Sequence, residues 1–178
     1  CENREQTCLD LLIFGLNMEL QNELALERSD YWINISNSYC YFGEDNMLWT
    51  SERDGWRHIY MYDFNEMEPR QITRGKWQVD ELLSLDKDNG VLFFSSSKES
   101  PLEKHVYVTD LKSGFPRKVT LASGMHNAVI SPKFDLFVDS HHSLNTSPNS
   151  AGRTLDGESK FIPVYTEKDE RASKFALS

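Results

Sequence analysis

HIYMYDFNEMEPRQIT at residues 58–73 and HVYVTDLKSGFPRKVT at residues 105–120 are two copies of one pattern, offset by 47 positions. Without a gap, six of sixteen positions are identical (His, Tyr, Asp, Pro, Arg and Thr), and four more pair one apolar residue with another. Self-similarity at a period of about 20 to 50 residues is typical of repeat architectures. The chain is therefore predicted to consist of repeated supersecondary units.

The period continues on both sides of this pair. Leu48, Leu92 and Leu136 each open an apolar run at a spacing of 44 residues, and Trp32 and Trp77 lie 45 residues apart, each ahead of a strand-like segment. A weaker copy, LLIFGLNMELQNELAL, opens the chain, and SAGRTLDGESKFIPVYTE is a candidate for a closing copy. The blade-like units are expected at about residues 1–31 (partial), 32–75, 77–121 and 124–167.

Each unit is made of short strand-like segments. HIYMYDF and HVYVTDL alternate in polarity and are rich in β-branched or aromatic residues, as half-buried strands are. MLWTS, VLFFSSS and LFVDS are continuous apolar runs of the length of buried strands. Turn dipeptides separate the segments, and Asn89-Gly90 marks the clearest hairpin. The others are Asp54-Gly55, Ser113-Gly114, Ser123-Gly124 and Asp156-Gly157.

One segment has a composition that favours a helix. NMELQNELALER, residues 17–28, is rich in helix-forming residues and could form an amphipathic helix. The repeat alignment instead makes it strand, turn and strand, and we follow the alignment.

Four strands in about 45 residues, repeated along the chain, is the pattern of a β-propeller blade. A β-sandwich also has short strands with regular turns, but it does not explain an ungapped internal match. The fold is therefore predicted to be all-β, with residues 1–178 forming a single partial β-propeller domain of about three to four blades. Because a propeller needs at least about four blades to close, and the chain begins with Cys1 rather than Met, we expect an open fragment of a longer propeller.

Composition excludes several classes of function. The formal net charge of −9 argues against a nucleic-acid binder, which needs clustered Lys and Arg. No apolar run approaches the roughly 20 residues of a membrane span, and CLDLLIFGL lacks the flanks of a signal peptide. Cys1, Cys8 and Cys40 lack C-x-x-C spacing, so neither a zinc site nor a disulfide framework is predicted.

Three segments together carry a resemblance to a known family. They are LWTSERDGWRHIYMYD, RQITRGKWQVDELLSLDKDNGVLFFSSSKESPLEKHVYVTDL and HNAVISPKFDLFVDSHHSLNTSP. In order and spacing they resemble the N-terminal β-propeller domain of dipeptidyl peptidase IV-like enzymes, of the prolyl oligopeptidase family of serine peptidases. The likeness runs from about residue 9 to about residue 150.

The resemblance implies an eight-bladed propeller that caps a C-terminal α/β-hydrolase domain, with a peptide substrate bound between them. Such enzymes release dipeptides from peptide N-termini, typically after proline or alanine. The hydrolase domain is absent from this chain and would begin after residue 178. The resemblance also suggests a homodimer of the parent protein, and it favours a periplasmic or extracellular setting while leaving a cytoplasmic one open.

No catalytic residue of the family can be assigned to a position in this chain. The nucleophile elbow G-x-S-x-G is missing, and the paired glutamates that hold the substrate amine belong to an earlier propeller region. We therefore predict that the chain alone is inactive. In the family, the loop corresponding to YWINIS can reach the substrate cleft, so Trp32 and Asn34 are the candidates for substrate lining, with packing as the alternative role of Trp32. No metal site or cofactor is predicted, since no H-E-x-x-H or calcium-loop pattern occurs.

Two polar clusters invite a catalytic interpretation. In TSERDGWRHIYMYD, residues 50–63, His58 has a counterpart in His105, which favours a framework role, because catalytic groups are not usually duplicated blade by blade. The charged side chains at the turn in this stretch can pair with one another, and Trp56 is predicted to pack between blades. In DSHHS, residues 139–143, adjacency gives no support for a triad, because triads are assembled by geometry from separated segments. Adjacent histidines on a strand point to opposite faces, which argues against a metal site.

The function predicted is the substrate-gating and substrate-holding propeller portion of a dipeptidyl peptidase IV-like serine peptidase. One alternative is a non-catalytic propeller module that binds a protein partner, which the fold alone would permit. Another is a family member that has lost its peptidase residues. A downstream G-x-S-x-G with later Asp and His would distinguish the first from the others.

Overall fold

The computed structural model describes residues 2–66 and 68–155, in which thirteen β-strands and no helix occur. The strands are β1 Cys8–Phe14, β2 Leu20–Arg28, β3 Tyr39–Phe42, β4 Asn46–Ser51, β5 His58–Asp63, β6 Arg70–Gln71, β7 Val79–Asp86, β8 Val91–Ser96, β9 His105–Asp110, β10 Arg117–Lys118, β11 Met125–Ile130, β12 Leu136–Ser143 and β13 Thr146–Thr154.

The strands form four antiparallel sheets in sequence order. The first sheet pairs β1 with β2, the second is β3-β4-β5-β6, the third is β7-β8-β9-β10, and the fourth is β11-β12-β13. Each strand pairs with its sequence neighbour, so every sheet is a meander, which is the construction of a propeller blade. The prediction of an all-β propeller fragment is confirmed. The unit expected over residues 124–167 and the Asp156-Gly157 turn extend beyond the described residues.

The segment with helix-forming composition is a strand. β2 covers Leu20–Arg28 and pairs with β1 over its whole length, with Leu11 opposite Leu24. Leu9 and Leu24 are buried. The hairpin partner and this burial outweigh intrinsic helix propensity, which is a weak determinant beside tertiary packing.

The core lies between sheets, and the middle strands of the second and third sheets are covered on both faces. On β4, Met47 and Trp49 face the cluster shared with the first sheet, while Leu48 faces the cluster shared with the third. On β8, Phe93 faces the fourth sheet and Phe94 faces the second. Successive side chains on a strand point to opposite faces, so a strand between two neighbouring sheets carries consecutive buried apolar residues, as residues 47–49 and 92–94 do.

The third apolar run, LFVDS, was wrongly predicted to be a fully buried strand. Along β12, Phe137, Asp139 and His141 are buried, while Val138 is 43% exposed. One face of the fourth sheet packs on the third sheet and the other is exposed among the described residues, which produces this alternation.

The repeat seen in the sequence is also a repeat of hydrogen bonds. His58 opens β5 and its Nδ1 lies 3.1 Å from Thr73 Oγ1; His105 opens β9 and its Nδ1 lies 3.0 Å from Thr120 Oγ1. Each threonine hydroxyl also accepts the backbone N–H that follows its histidine, at 3.0 and 3.1 Å. His58 and His105, which are counterparts in the sequence repeat, therefore occupy equivalent strand positions. We call each such arrangement a His–Thr tie.

Candidate functional site

The segment between β2 and β3 presents both predicted substrate-lining residues to solvent. Ile33 is only 3% exposed, packs with the cluster between the first two sheets, and donates its backbone N–H to Gln6 O at 2.9 Å. Trp32 is 64% exposed, and Asn34 is exposed as well. The buried Ile33 anchors the segment, and its neighbours therefore point outward. This strand-like segment, unlike the one after Trp77, is not part of a sheet, since β3 begins only at Tyr39.

Asn34 belongs to a charged network with the β4–β5 turn. Its amide donates to Glu52 Oε2 at 2.9 Å, and Arg57 donates to Glu52 Oε1 from Nε at 3.1 Å and from Nη2 at 2.7 Å. Burial acts to raise the pKa of the Glu52 carboxyl, but these hydrogen bonds and the Arg57 charge outweigh it and hold that pKa below its ordinary value. The turn charges therefore pair, as expected.

Two serines connect the same segment to the neighbouring sheets. Ser36 Oγ shares a hydrogen bond with Thr50 Oγ1 on β4, and Ser38 Oγ accepts the backbone N–H of Leu82 on β7 at 2.8 Å. The segment thus bridges the second and third sheets and forms one wall of a cleft of about 470 Å³. We call it the inter-sheet cleft. Its lining is Ile35, Ser36, Asn37, Ser38, Tyr39, Arg57, Asp80, Glu81, Leu82 and Lys104.

Charges of both signs line the inter-sheet cleft. Burial raises the pKa of the Asp80 carboxyl, and the charges of Lys104 and Arg57 offset only part of that effect. The volume of the cleft lies in the range of small-ligand sites, and its lining is mostly polar or charged. Chemically, these groups can bind and orient a polar ligand by hydrogen bonds and charge.

Asp80 and Lys104 were missed by sequence reasoning. They lie 23 and 47 residues beyond Arg57, and only the packing of the second sheet on the third brings the three side chains to one cleft. No local sequence pattern at Asp80 or Lys104 indicates that the two sheets pack together at this place.

The histidines are bound into the framework. In DSHHS, Asp139 Oδ1 lies 2.8 Å from His126 Nδ1, His141 Nε2 lies 2.9 Å from Ser123 O, and His142 is exposed on the opposite face. The rings of His105, His126 and His141 stack in a row, with centroids 5.1 and 4.5 Å apart. In the described part of the chain, no serine hydroxyl is a hydrogen-bond partner of a histidine ring, and no group of three His, Cys, Asp or Glu side chains is placed to hold a metal ion.

The prediction for Trp56 was wrong. This side chain is 43% exposed at the β4–β5 turn instead of packed between blades. Trp77 has that role: its ring stacks on Phe94 at 6.3 Å and meets His58 edge-on at 4.9 Å. A turn beyond the end of the strands lies outside the contact between sheets, so its tryptophan is not covered.

Residues 2–66 and 68–155 contain no helix with the length and apolar character needed to cross a bilayer.

Comparisons with known proteins agree with this architecture. A probable dipeptidyl peptidase 4 of Aspergillus fumigatus is 30% identical over 102 residues, covering 53% of this chain and 13% of that protein. The dipeptidyl peptidase 4 of Arthroderma otae is 26% identical over 152 residues, covering 82% of this chain and 20% of that protein. The crystal structure of Porphyromonas gingivalis dipeptidyl peptidase 4 matches with a TM-score of 0.84 at 23% identity, over 97% of this chain and 25% of that one.

The chain thus spans a quarter or less of the length of these relatives. Residues 1–148 match the family model described as the dipeptidyl peptidase IV (DPP IV) N-terminal region. That match covers most of the chain and agrees with the meander sheets and with the order of the motifs. The chain therefore belongs to the dipeptidyl peptidase IV N-terminal region family.

Proposed function

We propose that this chain is the substrate-gating and substrate-holding part of a serine-type dipeptidyl peptidase. In this proposal residues 1–178 form one partial propeller domain, and the parent protein supplies a C-terminal α/β-hydrolase domain. The parent releases dipeptides from the N-termini of peptides. Family membership supports the proposal, and the names of the matching fungal and bacterial proteins support the substrate class.

The observation that carries the holding role is the arrangement around Ile33. A buried residue fixes the backbone while Trp32 and Asn34 on either side stay exposed, and Asn34 directly precedes the first residue that lines the inter-sheet cleft. An exposed tryptophan offers a large apolar face to a peptide side chain. The Asn34 amide, oriented by Glu52, offers a polar contact beside it.

Steady-state kinetics of the full-length parent test this role. With an Xaa-Pro chromogenic dipeptide, Trp32→Ala is expected to raise KM several-fold with little change in kcat, because the lost contact binds substrate and transition state alike. Leu121→Ala is the control, since Leu121 is also exposed (68%) and does not line the inter-sheet cleft. An unchanged KM for Trp32→Ala would contradict the substrate-lining role.

The same assay distinguishes the competing functions. The isolated chain is expected to show no turnover, because holding a substrate without an activated nucleophile leaves the barrier largely in place. Activity of the parent that is abolished by a serine-directed phosphonate supports the proposal. A folded parent that neither turns over substrate nor reacts with the phosphonate would instead be an inactive family member. A homodimer of the parent is part of the proposal and is tested by sedimentation.

A further inference from the structure

A second cleft, of about 430 Å³, lies at the outer ends of the second and third sheets. One wall is β6 with the residues that follow it, and the other is the turn between β9 and β10. We call it the rim cleft. Its lining is Arg70, Gln71, Ile72, Arg74, Lys112, Ser113, Gly114, Phe115 and Pro116.

The rim cleft is lined by cations and by no acidic side chain. Arg70, Arg74 and Lys112 all contribute to it and are all exposed, although the chain as a whole carries a net charge of −9. None of the three takes part in a salt bridge within the described residues. Two carboxylates adjoin the lining: Asp54 accepts from Gln71 Nε2 at 2.6 Å, and Asp110, which also feels the Lys112 charge, accepts the backbone N–H groups of Lys112 and Ser113 at 2.7 and 3.0 Å.

The two walls are held in place by direct contacts. Arg70 donates from Nη1 to Leu111 O at 2.9 Å and from Nη2 to Met61 Sδ at 3.5 Å, so its guanidinium bridges the second and third sheets at the wall of the cleft. Gly114 has φ +68° and lies so close to Ile72 O that a Cβ atom would collide with it. Only glycine permits this approach, and the β9–β10 turn is therefore fixed against β6.

We infer that the rim cleft binds a phosphate or sulfate group. Guanidinium groups match the geometry of such oxyanions bidentately, and a lysine adds a third positive charge. The pocket has the size of a small-ligand site. Phe115, 81% exposed at its edge, provides an apolar surface for an organic group esterified to the oxyanion. This ligand differs in charge and place from the peptide proposed for the inter-sheet cleft.

Calorimetric titration of the full-length protein with inorganic phosphate and with sulfate, at constant ionic strength, tests the inference. Arg74→Gln with Lys112→Gln removes two of the three cations and spares Arg70, which bridges the sheets. The matched control is Lys87→Gln with Lys133→Gln, two exposed lysines outside the rim cleft with the same change in net charge. The cleft variant is expected to weaken binding at least about tenfold, and the control less than about twofold.

Phenyl phosphate distinguishes the two sources of the anion. If phenyl phosphate binds more tightly than inorganic phosphate and Phe115→Ala reverses the difference, the ligand is an ester. If the two bind with equal affinity, the ligand is the free anion. Either result supports the site. Equal weakening in the cleft and control variants would show only long-range charge effects and would overturn the inference. If none of the three anions binds at millimolar concentration, the inference is also overturned.

Discussion

Glu27 places a carboxyl group inside the contact between the first two sheets. It is 8% exposed and accepts a hydrogen bond from Trp49 Nε1 at 3.2 Å. Burial raises the pKa of this carboxyl, while hydrogen bonds from Trp49 and Ser51 and the charge of Arg53 act in the opposite direction without cancelling it. Because the folded-state pKa lies above the unfolded value, the folded chain loses stability as pH rises from about 4.5 through the folded-state pKa.

We predict that Glu27→Gln raises the melting temperature of the protein by a few degrees at pH 7. Glutamine keeps an acceptor for Trp49 and removes the cost of a buried charge. The gain in melting temperature should disappear near pH 4, where the wild-type Glu27 carboxyl is mostly protonated in the folded and the unfolded state alike. Glu23→Gln, an exposed position on the same strand, is the control. A lower melting temperature for Glu27→Gln at pH 7 would show that the charge is stabilising through Arg53.

At the scale of strands, the fourth sheet depends on a buried carboxylate on β12. Asp139 is 0% exposed and accepts from His126 Nδ1 at 2.8 Å and from Arg153 Nε at 2.7 Å. Burial acts to raise the pKa of Asp139, but the hydrogen bonds and charges of His126 and Arg153 outweigh it and keep that pKa low. The resulting stability is present above the unfolded pKa, near 3.8, and is lost as pH falls through the folded-state value.

Asp139→Asn is expected to loosen β11–β13 at pH 7. Removing one partner of a buried ion pair costs roughly 3 kcal/mol, which corresponds to about a hundredfold faster amide hydrogen exchange in these strands. The difference in amide exchange rate between Asp139→Asn and wild type should become smaller in acid, below the ordinary carboxyl pKa. Asp135→Asn, exposed in the turn before β12, should leave exchange unchanged. Equal exchange in Asp139→Asn and wild type would mean that apolar packing alone holds this sheet.

How far the sequence predicts these elements depends on where their partners lie. The 47-residue repeat predicts His58 and His105 at equivalent positions, because both the histidine and its threonine lie within one repeat. LFVDS resembles the other apolar runs locally, but among residues 2–66 and 68–155 no further sheet covers its outer face, as neighbouring sheets cover both faces of the second and third sheets. The inter-sheet cleft joins Arg57 to Asp80 and Lys104 across two sheets, and periodicity contains no information on that contact.

At the scale of the whole molecule, the outer face of the fourth sheet carries exposed apolar side chains and is uncovered in the part of the chain that the structure describes. Val129 is 73% exposed, Val138 43% and Met125 37%. Exposed apolar patches on a sheet favour association. The neighbouring blade of a longer propeller would cover this face.

We therefore predict that the isolated 178-residue chain self-associates. Sedimentation velocity at increasing concentration should show oligomers. Val129→Ser with Val138→Ser should shift the distribution toward monomer, because it removes apolar area from the face that associates. Leu121→Ser, an exposed leucine outside the strands, is the control. A monodisperse wild-type monomer with a sharp, cooperative melt would contradict the prediction.

The two His–Thr ties give the chain an internal replicate. In both ties Nδ1 of the histidine contacts a threonine hydroxyl. Nε2 of His58 faces the Gly75 carbonyl at 2.9 Å, whereas Nε2 of His105 faces the Glu103 carboxylate at 3.0 Å. Duplication has thus produced two samples of one bond that differ in the second partner and in the adjacent ring, which is Trp77 for His58 and His126 for His105. Comparing the cost of losing Thr73 with the cost of losing Thr120 would report how far these surroundings change the strength of one buried bond, with solvent and temperature shared by both samples.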